Sequence, residues 1–113
     1  DILDSVIQNT MVGGATLTKL LGTSAWYAPG AAAALVVESI INDQKKVIPS
    51  SVSLNGEYGE KDIFIGVPAV IGRNGVEKIL ELNPTEEEKE AFEKSAEAVR
   101  KTNAVLNEIG ALQ

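Results

Sequence analysis

The feature that most constrains this fold is a change of hydrophobic periodicity near residue 47 and a second change near residue 83. Apolar residues recur at helical spacing before the first change, β-branched residues alternate with turn residues between the two, and helical spacing then returns. This order favours an α+β domain in which helices pack on an antiparallel sheet and a long helix comes last. With 113 residues, the chain can build one hydrophobic core.

Two helices are predicted before residue 47. The first covers residues 2–11, is weakened by the glycines at 13 and 14, and resumes over residues 15–21. Gly22 then suits a C-terminal helix cap. The second helix runs from Gly30 to near Asp43, and its first turns are apolar on nearly every side. A helix of that kind is expected to be buried.

Three strands are predicted over residues 47–54, 62–71 and 76–82. Arg73-Asn74-Gly75 separates the last two and is a strong hairpin signal. We expect a type I′ turn there, with positive φ at both central residues. Such a connection makes these strands antiparallel.

Two of the predicted strands contain a proline, Pro49 in the first and Pro68 in the second. Proline has no backbone N–H to donate to a neighbouring strand. Each is therefore expected at a sheet edge, a strand end or a bulge.

The last helix has two possible starts. Asn83 can cap it with Pro84 at the first helical position, or Thr85 can form a capping box with Glu88. The acidic run at residues 86–88 suits the helix dipole, which favours capping over a cation site. The apolar stripe expected to face the sheet consists of Phe92, Ala96, Val99, Leu106 and Ile109.

Composition excludes several function classes. The chain has no histidine and no cysteine, so histidine-based acid/base catalysis, thiolate chemistry and the usual zinc sites cannot reside here. A formal charge of −6 disfavours nucleic-acid binding. No stretch reaches the roughly 20 apolar residues of a membrane span, and no glycine-rich dinucleotide fingerprint is present. We therefore expect a soluble, cytoplasmic protein with no metal site.

The stretch from Ser24 to Gly30, Ser-Ala-Trp-Tyr-Ala-Pro-Gly, is the leading candidate for a ligand site. It places a hydroxyl, two aromatic rings and a rigid proline in a loop that leads into a helix, and such loops commonly meet ligands. The structural alternative is that Trp26 and Tyr27 anchor the loop on the core. Arg73 is a weaker candidate, since an arginine at a hairpin turn is either an anion clamp or simply solvated.

An ordered set of motifs covers nearly the whole chain and resembles the lactate/malate dehydrogenase family, in particular its lactate-dehydrogenase-like malate dehydrogenases. The motifs are Gly13-Gly14-Ala15, Leu20-Leu21, residues 24–33, Val37-Glu38-Ser39-Ile40, Lys46-Val47-Ile48-Pro49, Gly56-Glu57-Tyr58-Gly59, Ile65-Gly66-Val67-Pro68, residues 72–79 and Glu93-Lys94-Ser95-Ala96. The resemblance is to the C-terminal, substrate-binding domain of these enzymes.

The resemblance implies hydride transfer between malate and NAD in a two-domain, oligomeric enzyme. The NAD-binding Rossmann domain, the acid/base histidine and the arginines that clamp the substrate would all precede residue 1, so this chain is expected to be an inactive fragment without catalytic residues. Ala25 matches the pocket-wall position that is threonine in lactate dehydrogenases, and Ser24 lies just before it. Both are expected to bind substrate. Pro29 matches the apolar residue against the nicotinamide ring of the cofactor.

Two alternatives stay open on the sequence alone. The chain could be a non-catalytic binding or assembly module on the same scaffold, although the apolar start of the second helix demands more cover than a small sheet gives. The complete enzyme could also act on a lactate-type 2-hydroxy acid, since most residues that select the substrate side chain would lie outside this chain.

Overall fold

A computed structural model of the protein describes residues 1–108. Along the chain lie α1 (Ile2–Leu21), α2 (Tyr27–Ile41), β1 (Lys46–Asn55), a 3-10 turn (Glu57–Gly59), β2 (Lys61–Gly72), β3 (Gly75–Ile79) and α3 (Glu86–Glu108). The predicted α+β class, with an antiparallel sheet and a long last helix, is confirmed. The chain divides into two compact units, an N-terminal unit of residues 1–35 and a C-terminal unit from residue 36 onward.

The N-terminal unit begins with α1, which continues through Gly13 and Gly14 without a break. The predicted interruption is thus absent, because the 18 other residues of the helix continue its hydrogen-bonding pattern across two residues of low propensity. Gly22 ends the helix in the left-handed conformation, at φ 71°, as predicted. No residue of α1 is buried.

Helix α2 starts three residues earlier than predicted. The Gly30 N–H donates to the Trp26 carbonyl at 3.0 Å, so Pro29 lies in the first turn, where a missing N–H costs nothing. The expectation that this helix is buried is wrong for its first half, which is exposed. Only Ser39 of α2 is buried, while Val36 and Ile40 pack partly against the core.

The sheet of the C-terminal unit has the strand order β1-β2-β3 and is antiparallel throughout. Alternate residues of β1 and β2 point to one covered face, as the period of two requires. The buried apolar residues of that core are Ile48, Val52, Leu54, Ile63, Ile65, Val67, Ala69 and Ile71 from the sheet and Ala96 from α3. The core of the described chain therefore lies between the sheet on one side and α3 and the end of α2 on the other.

The hairpin between β2 and β3 lies where the sequence predicts it, but its turn type differs. Gly72 pairs with Gly75, and of the connecting residues only Gly75 has positive φ, at 84°, while Arg73 and Asn74 do not. The register shifts between Val70 and Ile71, as expected for a bulge. This is the pattern of an ordinary turn followed by a left-handed glycine, so the type I′ prediction is wrong.

Strand β3 ends at Ile79, three residues before the predicted end. The Leu80 N–H still donates to the Pro68 carbonyl at 2.9 Å. Beyond it, the Tyr58 hydroxyl donates to the Leu80 carbonyl at 2.5 Å and accepts from the Leu82 N–H at 3.0 Å. The Tyr58 hydroxyl therefore takes the place of a pairing strand for the Leu80 carbonyl and the Leu82 N–H.

Pro49 and Pro68 face each other across β1 and β2. Since the Pro68 carbonyl accepts from Leu80, on the β3 side, both prolines occupy a position that makes no hydrogen bond between β1 and β2. Pro49 lies on the edge strand, as predicted, and Pro68 lies just outside the β2–β3 pairing, which begins at Ala69. Neither proline removes a bond from the sheet.

Helix α3 begins with the Thr85 and Glu88 capping box, which decides between the two predicted starts. The Thr85 N–H and hydroxyl both donate to Glu88 Oε2, at 2.8 and 3.0 Å, and the Glu88 N–H donates to Thr85 Oγ1 at 3.3 Å. Ala96 is buried and Phe92 and Val99 pack against the core. Leu106 is exposed, so the predicted stripe stops short of it, and Ile109 lies outside the described residues.

Within residues 1–108, no helix is long and apolar enough to cross a membrane.

Candidate functional site

The three predicted site residues lie together in the N-terminal unit. Ser24, Ala25 and Pro29 line one concavity of about 290 Å³. The remaining lining residues are Gly14 and Leu17 of α1 and Trp26, Tyr27 and Ala28 at the start of α2. The volume is near the lower end of the ~300–1,000 Å³ range of small-molecule sites, which suits a small ligand.

Ser24 and Ala25 differ from the rest of their unit in exposure. All other residues from 1 to 35 are exposed, whereas these two are half-buried. They follow Gly22, whose left-handed conformation turns the chain after α1. The concavity is thus best shielded at the two residues for which substrate contact is predicted.

The aromatic pair beside the site is not anchored on the core. Trp26 is 71% exposed and Tyr27 is 86% exposed, so the structural alternative for these side chains is wrong. A two-helix unit without a buried residue offers them no core to fill. Both rings are therefore available at the surface of the concavity.

Trp26 also has an unusual backbone. Its φ is 66°, in the left-handed region that costs a residue with a side chain roughly 1–2 kcal/mol. Its carbonyl accepts the first hydrogen bond of α2 from Gly30. Sequence reasoning missed this conformation, because tryptophan carries no signal for positive φ; glycine and asparagine do.

No charged side chain of residues 1–108 lines the concavity. Its polar side-chain groups are the Ser24 hydroxyl, the Tyr27 phenol and the Trp26 indole N–H. Such a site can select a ligand by shape and exclude water, but it has no cation for a carboxylate and no side chain that exchanges protons near neutral pH. Among residues 1–108, no three potential metal ligands of the His, Cys, Asp and Glu types cluster together.

A larger concavity of about 480 Å³ lies in the C-terminal unit between the sheet and the start of α3. Three of its polar side chains, those of Tyr58, Glu81 and Glu88, already have partners: the Tyr58 hydroxyl bonds Leu80 and Leu82, and Glu81 accepts the Tyr58 N–H at 2.9 Å. Glu88 is held by Thr85, whose N–H and hydroxyl lower the pKa of that carboxyl. Because these groups serve the fold, we take the smaller concavity as the candidate site despite its size.

Arg73, the weaker candidate, is exposed at the hairpin of the C-terminal unit. The backbone N–H of Arg73 donates to Asp43 Oδ1 at 2.9 Å, a contact that holds the turn in place. This places Arg73 in a different unit from the three residues of the concavity.

Comparison with known proteins identifies the family. Residues 1–108 match the model of the lactate/malate dehydrogenase α/β C-terminal domain. The chain belongs to this family. A malate dehydrogenase of Parabacteroides distasonis is 68% identical over 110 residues, which are 97% of this chain and 35% of that protein. A malate dehydrogenase of Bacteroides fragilis is 66% identical over the same shares.

Solved structures of family members share the fold. Malate dehydrogenase from Salinibacter ruber superposes with a TM-score of 0.89 at 39% identity, over 95% of this chain and 36% of that one. Lactate dehydrogenase from Eimeria maxima, solved with NADH and oxamate, gives 0.91 at 35% identity, over 98% and 35%. The chain thus spans about a third of the length of the family members it matches.

Proposed function

We propose that the longer protein to which this chain corresponds interconverts malate and oxaloacetate with NAD, and that this chain supplies part of the substrate pocket. The observation that carries the proposal is the 68% identity to a malate dehydrogenase over 97% of the chain. Ser24, Ala25 and Pro29 also line one concavity, as contact with a shared ligand requires.

Ala25 is proposed as the pocket wall beside the substrate. Its methyl group leaves room in the concavity where a threonine would add two heavy atoms. Malate carries a second carboxylate that lactate lacks, so a small wall suits the larger substrate. Ser24, half-buried next to it, is proposed to offer a hydroxyl hydrogen bond to a substrate oxygen.

Pro29 is proposed to contact the nicotinamide ring of NAD. The chain fits this one contact, because the proline is rigid, lies in the first turn of α2 and lines the concavity with Ala25. A fixed apolar surface orients a planar ring and excludes water from one of its faces. When bound, NAD supplies the hydride acceptor for the C2 hydrogen of malate.

The rest of the chemistry is assigned outside this chain. The chain has no histidine, and no cationic side chain lines the concavity. We propose that a Rossmann domain in the remaining two thirds holds NAD and that the histidine acid/base and the carboxylate-binding arginines also lie there. We also propose that the full-length protein is a homo-oligomer, which analytical ultracentrifugation tests. We propose that it is cytoplasmic, which cell fractionation tests.

A lactate-type substrate is the second candidate. It is favoured by the structural match to a lactate dehydrogenase, whose TM-score of 0.91 is as high as that of the malate dehydrogenases. The small residue at position 25 favours malate instead.

The test is an assay of the full-length protein and of this 113-residue chain for NAD reduction with malate and with lactate. We expect malate turnover by the full-length protein only. Lactate turnover in its place would support the second candidate, and no turnover of either by an intact protein would favour a non-catalytic assembly module.

The matched variants are Ala25→Thr and Ala98→Thr. The first adds a hydroxyl and a methyl to the pocket wall, so we expect kcat/KM for malate to fall about tenfold, in line with ~1–3 kcal/mol for small changes in a pocket. The second makes the same exchange on the exposed, charged face of α3 outside the concavity, and should leave kcat/KM within about twofold. Equal effects would remove Ala25 from the site.

A further inference from the structure

We propose that Trp26 is a specificity-determining residue of this site, whose indole ring forms a wall of the concavity and contacts the bound 2-oxo or 2-hydroxy acid. The inference rests on the proposed function and extends it to a side chain whose role the resemblance does not give. It is carried by the backbone conformation of Trp26, by the exposure of its ring and by its place in the lining of the concavity.

Two positions four residues apart share an unusual backbone conformation. Gly22 has φ 71° and Trp26 has φ 66°, so the chain takes nearly the same left-handed conformation twice. At position 22 it uses the residue that adopts this conformation without cost. At position 26 it uses a bulky aromatic residue, for which the conformation is unfavourable. Strain of this kind is typical of functional sites, where a side chain is needed in a fixed place.

The Trp26 ring does not contribute to a core of this chain. The indole is 71% exposed, so it fills no core. The aromatic pair found among residues 1–108 is Tyr58 with Phe92, in the other unit, so the described structure shows no ring stacked on the indole. Within this chain, the Trp26 ring therefore buries too little apolar surface to offset the cost of its backbone conformation.

Trp26 lies where its ring can contact a ligand. It stands between Ala25 and the first turn of α2, and it lines the same concavity as Ser24, Ala25 and Pro29. A flat apolar ring there removes water from a ligand that lies against Ala25. Fewer water molecules around the ligand carboxylates would strengthen their attraction to cations from elsewhere in the protein.

An indole wall of this kind should act on binding more than on chemistry. It contacts the substrate in the ground state and in the transition state alike, so its loss raises KM and leaves kcat nearly unchanged. Loss of the left-handed backbone would instead misplace Ala25 and lower kcat. The two roles can therefore be separated by choosing residues that keep one and remove the other.

The experiment uses the full-length protein with Trp26→Phe, Trp26→Gly and Trp26→Ala. Phenylalanine keeps a flat ring, glycine keeps the left-handed backbone without a ring, and alanine removes the ring at a strained position. We expect KM for oxaloacetate to rise about tenfold in the glycine and alanine variants and to stay within about threefold in the phenylalanine variant. In all three, kcat and the KM for NADH should change less than about threefold.

Phe64→Ala is the matched control. Phe64 is also an exposed aromatic residue, at 64%, but it lies on β2 and outside the concavity. This control should leave KM for oxaloacetate unchanged. A similar rise in the control would show that loss of any exposed ring has the effect, and would overturn the proposal.

A second readout does not depend on turnover. Malate is titrated into the complex with NADH, a pair that cannot react, while tryptophan emission is followed. We expect a change in the wild-type protein that is absent from Trp26→Phe. Equal signals in both proteins would show that the ligand does not meet this ring.

The outcomes separate the proposal from the function on which it rests. If the wild-type protein oxidises malate and the glycine variant keeps its KM, the indole has no ligand contact and only this inference fails. If KM for NADH rises instead, the ring contacts the cofactor and the inference is again wrong. If the folded wild-type protein oxidises neither malate nor lactate, the proposed function fails, and the inference fails with it.

Discussion

The two units of the chain differ in the burial of their apolar residues. In the described part of the C-terminal unit, nine apolar side chains are buried in the core formed by the sheet, α3 and the end of α2. In residues 1–35 every residue is exposed except Ser24 and Ala25, although α1 carries apolar residues such as Leu20, which is 78% exposed. Burial in the C-terminal unit is thus a property of this chain itself. The apolar surface of the N-terminal unit has no cover within its own residues.

The physical reason lies in the kind of element. A strand pair presents a flat row of side chains, and one helix such as α3 can cover it. Helices α1 and α2 each present apolar residues on a curved surface, and α2 is apolar on nearly every side at its start. Helices of this kind need several neighbours before their apolar surface is removed from water.

The largest expected effect comes from Leu54→Ala in the C-terminal unit. Leu54 is 1% exposed, so the cavity should lower the free energy of unfolding by about 3 kcal/mol. Leu20→Ala makes the same change on the exposed face of α1 and should cost less than about 0.5 kcal/mol in the 113-residue chain. Urea unfolding followed by circular dichroism measures both. Equal losses would contradict the difference in burial between the two units, and a larger loss from Leu20→Ala in the full-length protein would show that α1 is covered there.

A smaller effect is expected from Ser39→Ala. The Ser39 hydroxyl is fully buried and donates to the Ile71 carbonyl at 2.6 Å, so its removal takes away a buried hydrogen bond between α2 and β2. We expect a loss of about 1–3 kcal/mol in thermal or urea unfolding. Ser5→Ala, the same exchange on the exposed α1, should be neutral or stabilising by a few tenths of a kcal/mol. A neutral Ser39→Ala would mean that water replaces the hydroxyl.

Loss of the capping box should come next in size. Thr85→Ala removes the hydroxyl that accepts from Glu88 at the start of α3, at an expected cost of about 1 kcal/mol. Thr10→Ala is the matched change within α1, where the hydroxyl only bonds the Val6 carbonyl one turn back. It should stabilise by up to about 0.5 kcal/mol, because alanine has the higher helix propensity. If both variants lose stability equally, the cap has no special role.

The smallest effect is a pH dependence at Glu88. Its pKa is lowered by the Thr85 N–H and hydroxyl, so its contribution to stability is complete above the ordinary carboxyl pKa and disappears as the pH falls through the lowered value. Glu88→Gln should therefore be less stable than wild type at pH 7, with a difference that shrinks as the pH falls from about 5. Unfolding curves from pH 7 to pH 3 measure this. Glu87→Gln, whose carboxylate does not bond Thr85 in the described structure, should show a flatter difference.

The sequence predicted the order of helices and strands because the spacing of apolar residues depends on which side of an element is buried. In β1 and β2, alternate residues are buried, as the period of two requires. It also located the capping box, since the Thr85 and Glu88 spacing specifies local bonds. It failed on the hairpin turn, where Gly75 rather than the residues before it takes the positive φ. The Arg73-Asn74-Gly75 pattern thus predicted where the turn lies, but it did not predict the register shift between β2 and β3.

The roles of Ser24, Ala25 and Pro29 came from a family resemblance and stay predictions; the structure shows that the three residues line one concavity. The interpretation of Trp26 as a core anchor was wrong, because hydrophobicity alone does not tell whether a core exists within reach. Its left-handed backbone depends on how the loop joins two helices, which no short pattern records.

The facing prolines of β1 and β2 affect how the sheet meets other chains. Pro49 lies on the edge strand and its nitrogen points away from β2, in the middle of the outward row of backbone donors. An additional strand from a neighbouring molecule would find one donor missing there. The edge is thereby protected against strand addition and the aggregation that follows from it.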